Sequence, residues 1–123
     1  MSDKNFILGN MCDELVDMSL DMCGKSTDNN PRFPRWSYDT YVERIMRMAL
    51  DIQELIITCN EYRKGDNRKI AQIKAMGKCT YLNHLIRIAW NRGYISQKQH
   101  DRWSKLTTSI KWKIKRWCDS ENK

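Results

Sequence analysis

Leu8, Met11, Leu15, Met18 and Met22 recur three or four positions apart, with Asp13, Glu14, Asp17 and Asp21 between them. That spacing predicts an amphipathic helix over about residues 5–23 with an acidic outer face. Gly24 supplies a stop, and Pro31 and Pro34 exclude a helix from the segment that follows, so 24–37 reads as a loop. The clearest period in the chain comes next: Tyr41/Val42, Ile45, Met48/Ala49, Ile52, Leu55/Ile56, Cys59 and Tyr62. It predicts a second helix over about 39–64, opened by a capping box between Thr40 and Glu43 and closed by Gly65-Asp66-Asn67.

A third helix is expected over about 68–92. Its apolar positions, Ile70, Ile73, Met76, Gly77, Leu82, Leu85, Ile86, Ile88, Ala89 and Trp90, do not gather on one stripe at about 100° per residue. A helix apolar on several sides is central or used twice. This helix is expected to pack inside its own bundle and also against another subunit. Gly93 closes it, and Ser96 with Gln99 has the spacing of a capping box that opens a fourth helix over about 96–118. There Trp103, Leu106, Ile110, Ile114 and Trp117 fall within one narrow arc, while Trp112 falls opposite, near Lys98, Lys105, Lys115 and Arg116. Four helices with two short connections predict a single all-α domain over 1–123, an up-down antiparallel four-helix bundle. Strict two-residue alternation is confined to short pieces such as Lys111-Trp112-Lys113-Ile114-Lys115, where a longer helical stripe overrides it.

Charge changes this picture because it is uneven. Residues 1–30 carry 2 basic and 6 acidic side chains, 31–64 carry 6 and 5, and 65–123 carry 14 and 4, within a formal net charge of +7. The last two helices therefore hold the basic field, which suits a polyanion, since each phosphate neutralised releases counterions. The expected nucleic-acid contacts are Arg32, Arg35, Lys74, Lys78, Lys105, Lys111, Trp112, Lys115 and Arg116. Arg32 and Arg35 flank Phe33, with Trp36 following; the aromatic pair is expected to seal the bundle end and leave both guanidinium groups for phosphate.

Catalytic chemistry has little support. The five cysteines are odd in number and scattered, and read as reduced core thiols. His84 and His100 lie on different helices without metal-ligand spacing, so no metal is expected. Glycines form no phosphate-cradling loop. Cys79 and His84 share one helix with no third group to orient them, and Asp51 is expected to pair with Arg47, four residues earlier. No catalytic residue and no cofactor is predicted. The N-terminus lacks a basic stretch followed by an apolar block, and no apolar run is long enough to span a bilayer, so the expectation is a cytoplasmic protein.

The stretch Leu82-Asn83-His84-Leu85-Ile86-Arg87-Ile88-Ala89-Trp90-Asn91-Arg92-Gly93-Tyr94-Ile95-Ser96-Gln97-Lys98-Gln99 resembles the accessory variability determinant (Avd) family of diversity-generating retroelements. The resemblance rests on a Leu-x-x-Leu-Ile-Arg-Ile-Ala run, a Gly-Tyr-Ile-Ser-x-x-Gln junction and a last helix ending in Trp117. With the Pro-Arg loop and the second helix ending near Glu61-Tyr62, it covers most of residues 31 to 118; the first helix matches only in pattern. It implies an up-down bundle assembled as a pentameric ring with a basic surface. That ring would partner a reverse transcriptase that copies template RNA into adenine-mutated cDNA, without being the polymerase. Arg87, Arg92 and Lys98 are the expected contacts with that partner. One departure is that Lys111, Lys115 and Arg116, with Trp112 among them, stand where the family tends to place small residues, which enlarges the basic face. A sister family of bundles, encoded in intervening sequences of bacterial 23S ribosomal RNA genes, shares the architecture and is one alternative reading; a structural oligomer whose basic face is incidental is the other.

Overall fold

The computed structural model describes residues 6–24 and 32–122. Residues 25–31 of the predicted loop and the expected start of the first helix at residue 5 lie outside them. The described residues form four α-helices and no strand: α1 (Ile7–Cys23), α2 (Glu43–Cys59), α3 (Asp66–Asn91) and α4 (Gln97–Glu121). Each packs on its two neighbours in a closed square, α1 on α2 and α4, α3 on α2 and α4. Cross-contacts fix the directions. Ser19 near the end of α1 meets Trp103 near the start of α4, and Arg68 at the start of α3 meets Glu121 at the end of α4. Asp51 in mid-α2 meets Lys78 in mid-α3, and Tyr41 before α2 donates to the Leu85 carbonyl late in α3. Neighbouring helices are therefore antiparallel wherever these pairs link them.

The core is built from the predicted stripes with three corrections. In α1 and α2, Leu8, Leu15, Met22, Ile45, Met48, Ala49, Ile52, Ile56 and Cys59 are buried as expected. Tyr62 is exposed, because α2 ends at Cys59: the amides of Glu61 and Tyr62 turn back to the carbonyls of Thr58 and Cys59. The Thr40–Glu43 capping box does not form. The chain enters α2 already helical, through a 3-10 turn at Arg35–Ser37 and a wider π-type turn at Tyr38–Val42, and Glu43 instead pairs with Arg47.

The third correction concerns α3. Its core face is made of small or polar side chains, Ala71, Gln72, Ala75 and Cys79, before Leu82, Leu85, Ile86 and Ala89, while Ile70, Ile73, Tyr81 and Ile88 are exposed. Small residues let α3 lie close to the bulky Trp103, Ile110 and Ile114 of α4. The ends follow the sequence better. Gly93, at φ 79°, puts the backbone in the left-handed region; its amide donates to the Trp90 carbonyl and that of Tyr94 to the Ala89 carbonyl, closing α3 in a Schellman motif. Ser96 Oγ accepts from the Gln99 amide (3.1 Å), and Gln99 Oε1 accepts from the Ser96 amide (2.8 Å), the predicted capping box. No described helix is long and apolar enough to cross a membrane.

Candidate nucleic-acid and partner interfaces

Trp112 points out of the bundle, 49% exposed, opposite the buried Trp103, Ile110 and Ile114. Lys105 lies two helical turns before it and Arg116 one turn after, both exposed, so the register of α4 places them along one outer face. The Lys111 ammonium sits 5.8 Å from the Trp112 ring centroid, which holds a cation against the indole. Lys115 is exposed, but Asp119 accepts from its ammonium at 3.2 Å. Long cationic stems around an outward indole make a surface that can meet phosphate and stack on a base.

The other predicted contacts are not part of that face. Lys74 and Lys78 line a groove between α2 and α3 with Met48, Asp51, Leu55, Gly77 and Tyr81, and Lys78 donates to Asp51 at 3.1 Å. The expected Arg47–Asp51 pair is thus replaced by two others, Arg47 with Glu43 and Asp51 with Lys78. Arg32 is half-buried, donates to the Asp21 carbonyl at 2.5 Å, and lies among Glu14, Asp17 and Asp21. One of its N–H groups is thus tied to the end of α1. Arg35 is exposed in the 3-10 turn. Phe33 does seal the bundle end, its ring centroid 5.8 Å from Tyr41 and 5.4 Å from Tyr94, but Trp36 does not: it is 72% exposed.

Arg92 and Lys98 flank the short α3–α4 connection, with Arg87 little more than a turn back along α3, and all three are exposed. The Arg92 Nε donates to Tyr94 Oη at 3.3 Å. On α3 the exposed Ile70, Ile73, Tyr81 and Ile88, with Gly77 and His84 between them, recur every three or four residues. This is a second apolar stripe on a helix whose opposite side is already in the core.

At the far end of the bundle lies a second feature that helical periodicity does not announce. Glu121 accepts from Arg68 (2.8 Å), from the Trp117 indole N–H (3.1 Å) and from the Gln72 amide (3.2 Å). The Arg68 guanidinium lies 4.6 Å from the Trp117 ring centroid, and Phe6 meets the same indole edge-on at 6.1 Å. Beside this knot is an open cavity of about 430 Å³ lined by Phe6, Ile7, Leu8, Asn60, Arg68, Lys113, Arg116 and Trp117. Lys113 and Arg68 escaped the sequence reading because each is one charge among many. Only the meeting of α1, α3 and α4 gathers them.

The thiols are poorly suited to nucleophilic work. Burial pushes Cys12, Cys23 and Cys79 up to about 12 and Cys59 to about 11, so each is protonated near neutral pH. Cys79 is buried in the core while His84 is exposed, so the structure does not bring that pair together. Among the described residues no three His, Cys, Asp or Glu side chains converge to hold a metal ion. The chain matches no protein-family model, and comparisons with curated proteins and with solved structures find no similar one.

Proposed function

We propose that this protein is a non-enzymatic accessory factor of the Avd type, which binds a reverse transcriptase and its template RNA or cDNA in the cytoplasm and supports mutagenic retrohoming. The observation that carries the proposal is the outer face of α4, where Lys105, Trp112 and Arg116 stand in register away from the core. The Leu82–Gln99 resemblance supplies the partner, and the four-helix architecture is compatible with it. The proposal requires a reverse-transcriptase gene beside this one, and the direct test is co-expression with that enzyme. Recovery of a ternary complex with template RNA is expected; failure to retain either polymerase or RNA would overturn the proposal.

Charges at the rim of an interface act mainly by steering association. Arg87, Arg92 and Lys98 are proposed to face the polymerase, so the triple alanine variant should associate several-fold more slowly and with weaker salt dependence, read by biolayer interferometry. Unchanged kinetics would remove that end of the bundle from the interface.

The exposed stripe of α3 supports assembly of several copies, a pentameric ring in the proposal. Light scattering at micromolar concentration should give a multiple of the 14.7 kDa chain, and Ile73→Glu, which places a charge in mid-stripe, should return it to monomer. A 14.7 kDa particle for the unaltered protein would exclude the assembly.

A further inference from the structure

We propose that the cavity between the start of α1 and the end of α4 is a nucleotide-binding site, taking a nucleoside phosphate with its base on the Phe6–Ile7–Trp117 wall and its phosphate on Lys113 and Arg116. The volume, about 430 Å³, is within the range of small-ligand pockets, about 300–1,000 Å³. Lys113, Arg116 and Trp117 are three and four residues apart on α4, so two cations and one aromatic ring border the opening from a single rigid helix.

The charges in the cavity are not equivalent. Arg68 is spent on Glu121 and on the Trp117 ring, where it stiffens the aromatic wall. Among the described residues, Lys113 and Arg116 have no carboxylate at ion-pair distance, so their charge is available to an anion. On α1, Ile7 is 62% exposed, an aliphatic side chain lining the same basic cavity. Apolar wall and cationic rim together fit a ligand with a flat apolar part and an anionic part. Arg116 also selects the class: it lies one helical turn from Trp112 and belongs to both surfaces, so the cavity continues the track of Lys105 and Trp112. The inference rests on the nucleic-acid reading for the source of the ligand, whether a free nucleotide or one unit of a bound strand.

The test uses the full chain and the indole N–H signals of Trp117 and Trp112, assigned in NMR spectra with single Trp→Phe variants. The first arm titrates adenosine 5′-monophosphate, with adenosine and inorganic phosphate as controls. The Trp117 signal is expected to shift with the nucleotide, more weakly with either control. Lys113→Gln and Arg116→Gln should each weaken binding about tenfold, and Lys113→Arg should restore most of it. The second arm titrates a single-stranded oligoribonucleotide. Shifts of both indoles assign the cavity to one unit of the strand; a Trp117 response to the mononucleotide alone assigns it to a free nucleotide. A silent Trp117 in both arms, or equal shifts with adenosine and with the nucleotide, overturns the site. If Trp112 still answers the oligonucleotide, the function proposed above survives that loss. If Trp117 answers the mononucleotide in a protein that retains no RNA, the site stands without it.

Discussion

Trp103→Ala is expected to lower the free energy of unfolding by about 3–5 kcal/mol, a large part of the roughly 5–15 kcal/mol of an ordinary domain. Trp103 is fully buried where α4 crosses the end of α1, and its indole N–H donates to Ser19 Oγ at 3.0 Å, itself buried. Removal leaves a cavity and one orphaned hydroxyl. The two terms can be separated. Trp103→Phe keeps most of the ring and loses the hydrogen bond, and Ser19→Ala leaves the indole donor unsatisfied, each costing about 1–3 kcal/mol. The Trp103→Phe/Ser19→Ala pair should cost less than the sum, because both polar partners are gone. Urea titrations followed by circular dichroism measure all four variants. Additive losses would show that the bond does not couple α1 to α4, and a loss under about 1 kcal/mol for Trp103→Ala would contradict its burial.

Trp103 also shows what the sequence can reveal. An indole that opens a strict three-and-four stripe has few places to go but the core, and with the Ser96 cap and the Gly93 stop it located α4 to within three residues at either end. The α3 helix was legible only as an anomaly. Its large apolar residues Ile70 and Ile73 face outward, and Ala71, Gln72 and Ala75 face the core, so hydropathy showed more than one apolar side without saying which side of its first half is buried. Burial there is decided by how close α4 must come, which is tertiary information. Gln72 is the sharpest case, a buried amide whose Glu121 partner lies 49 residues away. The Thr40–Glu43 box failed for a related reason. Its spacing was right, but the turns at 35–42 already carry the backbone into α2 and leave no free helix end to cap.

The candidate site divides in the same way. Outward placement of Trp112 with Lys105 and Arg116 followed from helical phase alone, since one face of one helix is a local property. Whether a given charge is available was not local. The carbonyl that holds Arg32 is 11 residues distant, and Lys78 meets Asp51 from a different helix. Phe33 and Trp36 look alike in the sequence and part company because only Phe33 lies between Tyr41 and Tyr94.

On the α4 face these differences predict unequal effects. Lys105→Ala and Arg116→Ala should each lower the slope of log affinity against log salt for single-stranded RNA by about 0.7 unit, the loss expected for one phosphate contact on a single strand. Lys115→Ala should lower it by less, because Asp119 already shares that charge at 3.2 Å. Trp112→Ala removes a stacking surface and no cation. Binding should weaken by about 1–3 kcal/mol with the slope unchanged, and fold stability should move by no more than about 0.5 kcal/mol because the side chain is half exposed. The combination of Lys105→Ala, Arg116→Ala and Trp112→Ala should then show a slope about 1.4 units shallower and the stacking loss on top of it. Fluorescence anisotropy at several salt concentrations reads slope and affinity together, and light scattering on the same samples separates a lost RNA contact from a lost subunit contact. A Trp112→Ala protein that binds RNA normally but falls apart would make the indole an interface anchor, and unaltered slopes in all three charge variants would take nucleic acid off this face.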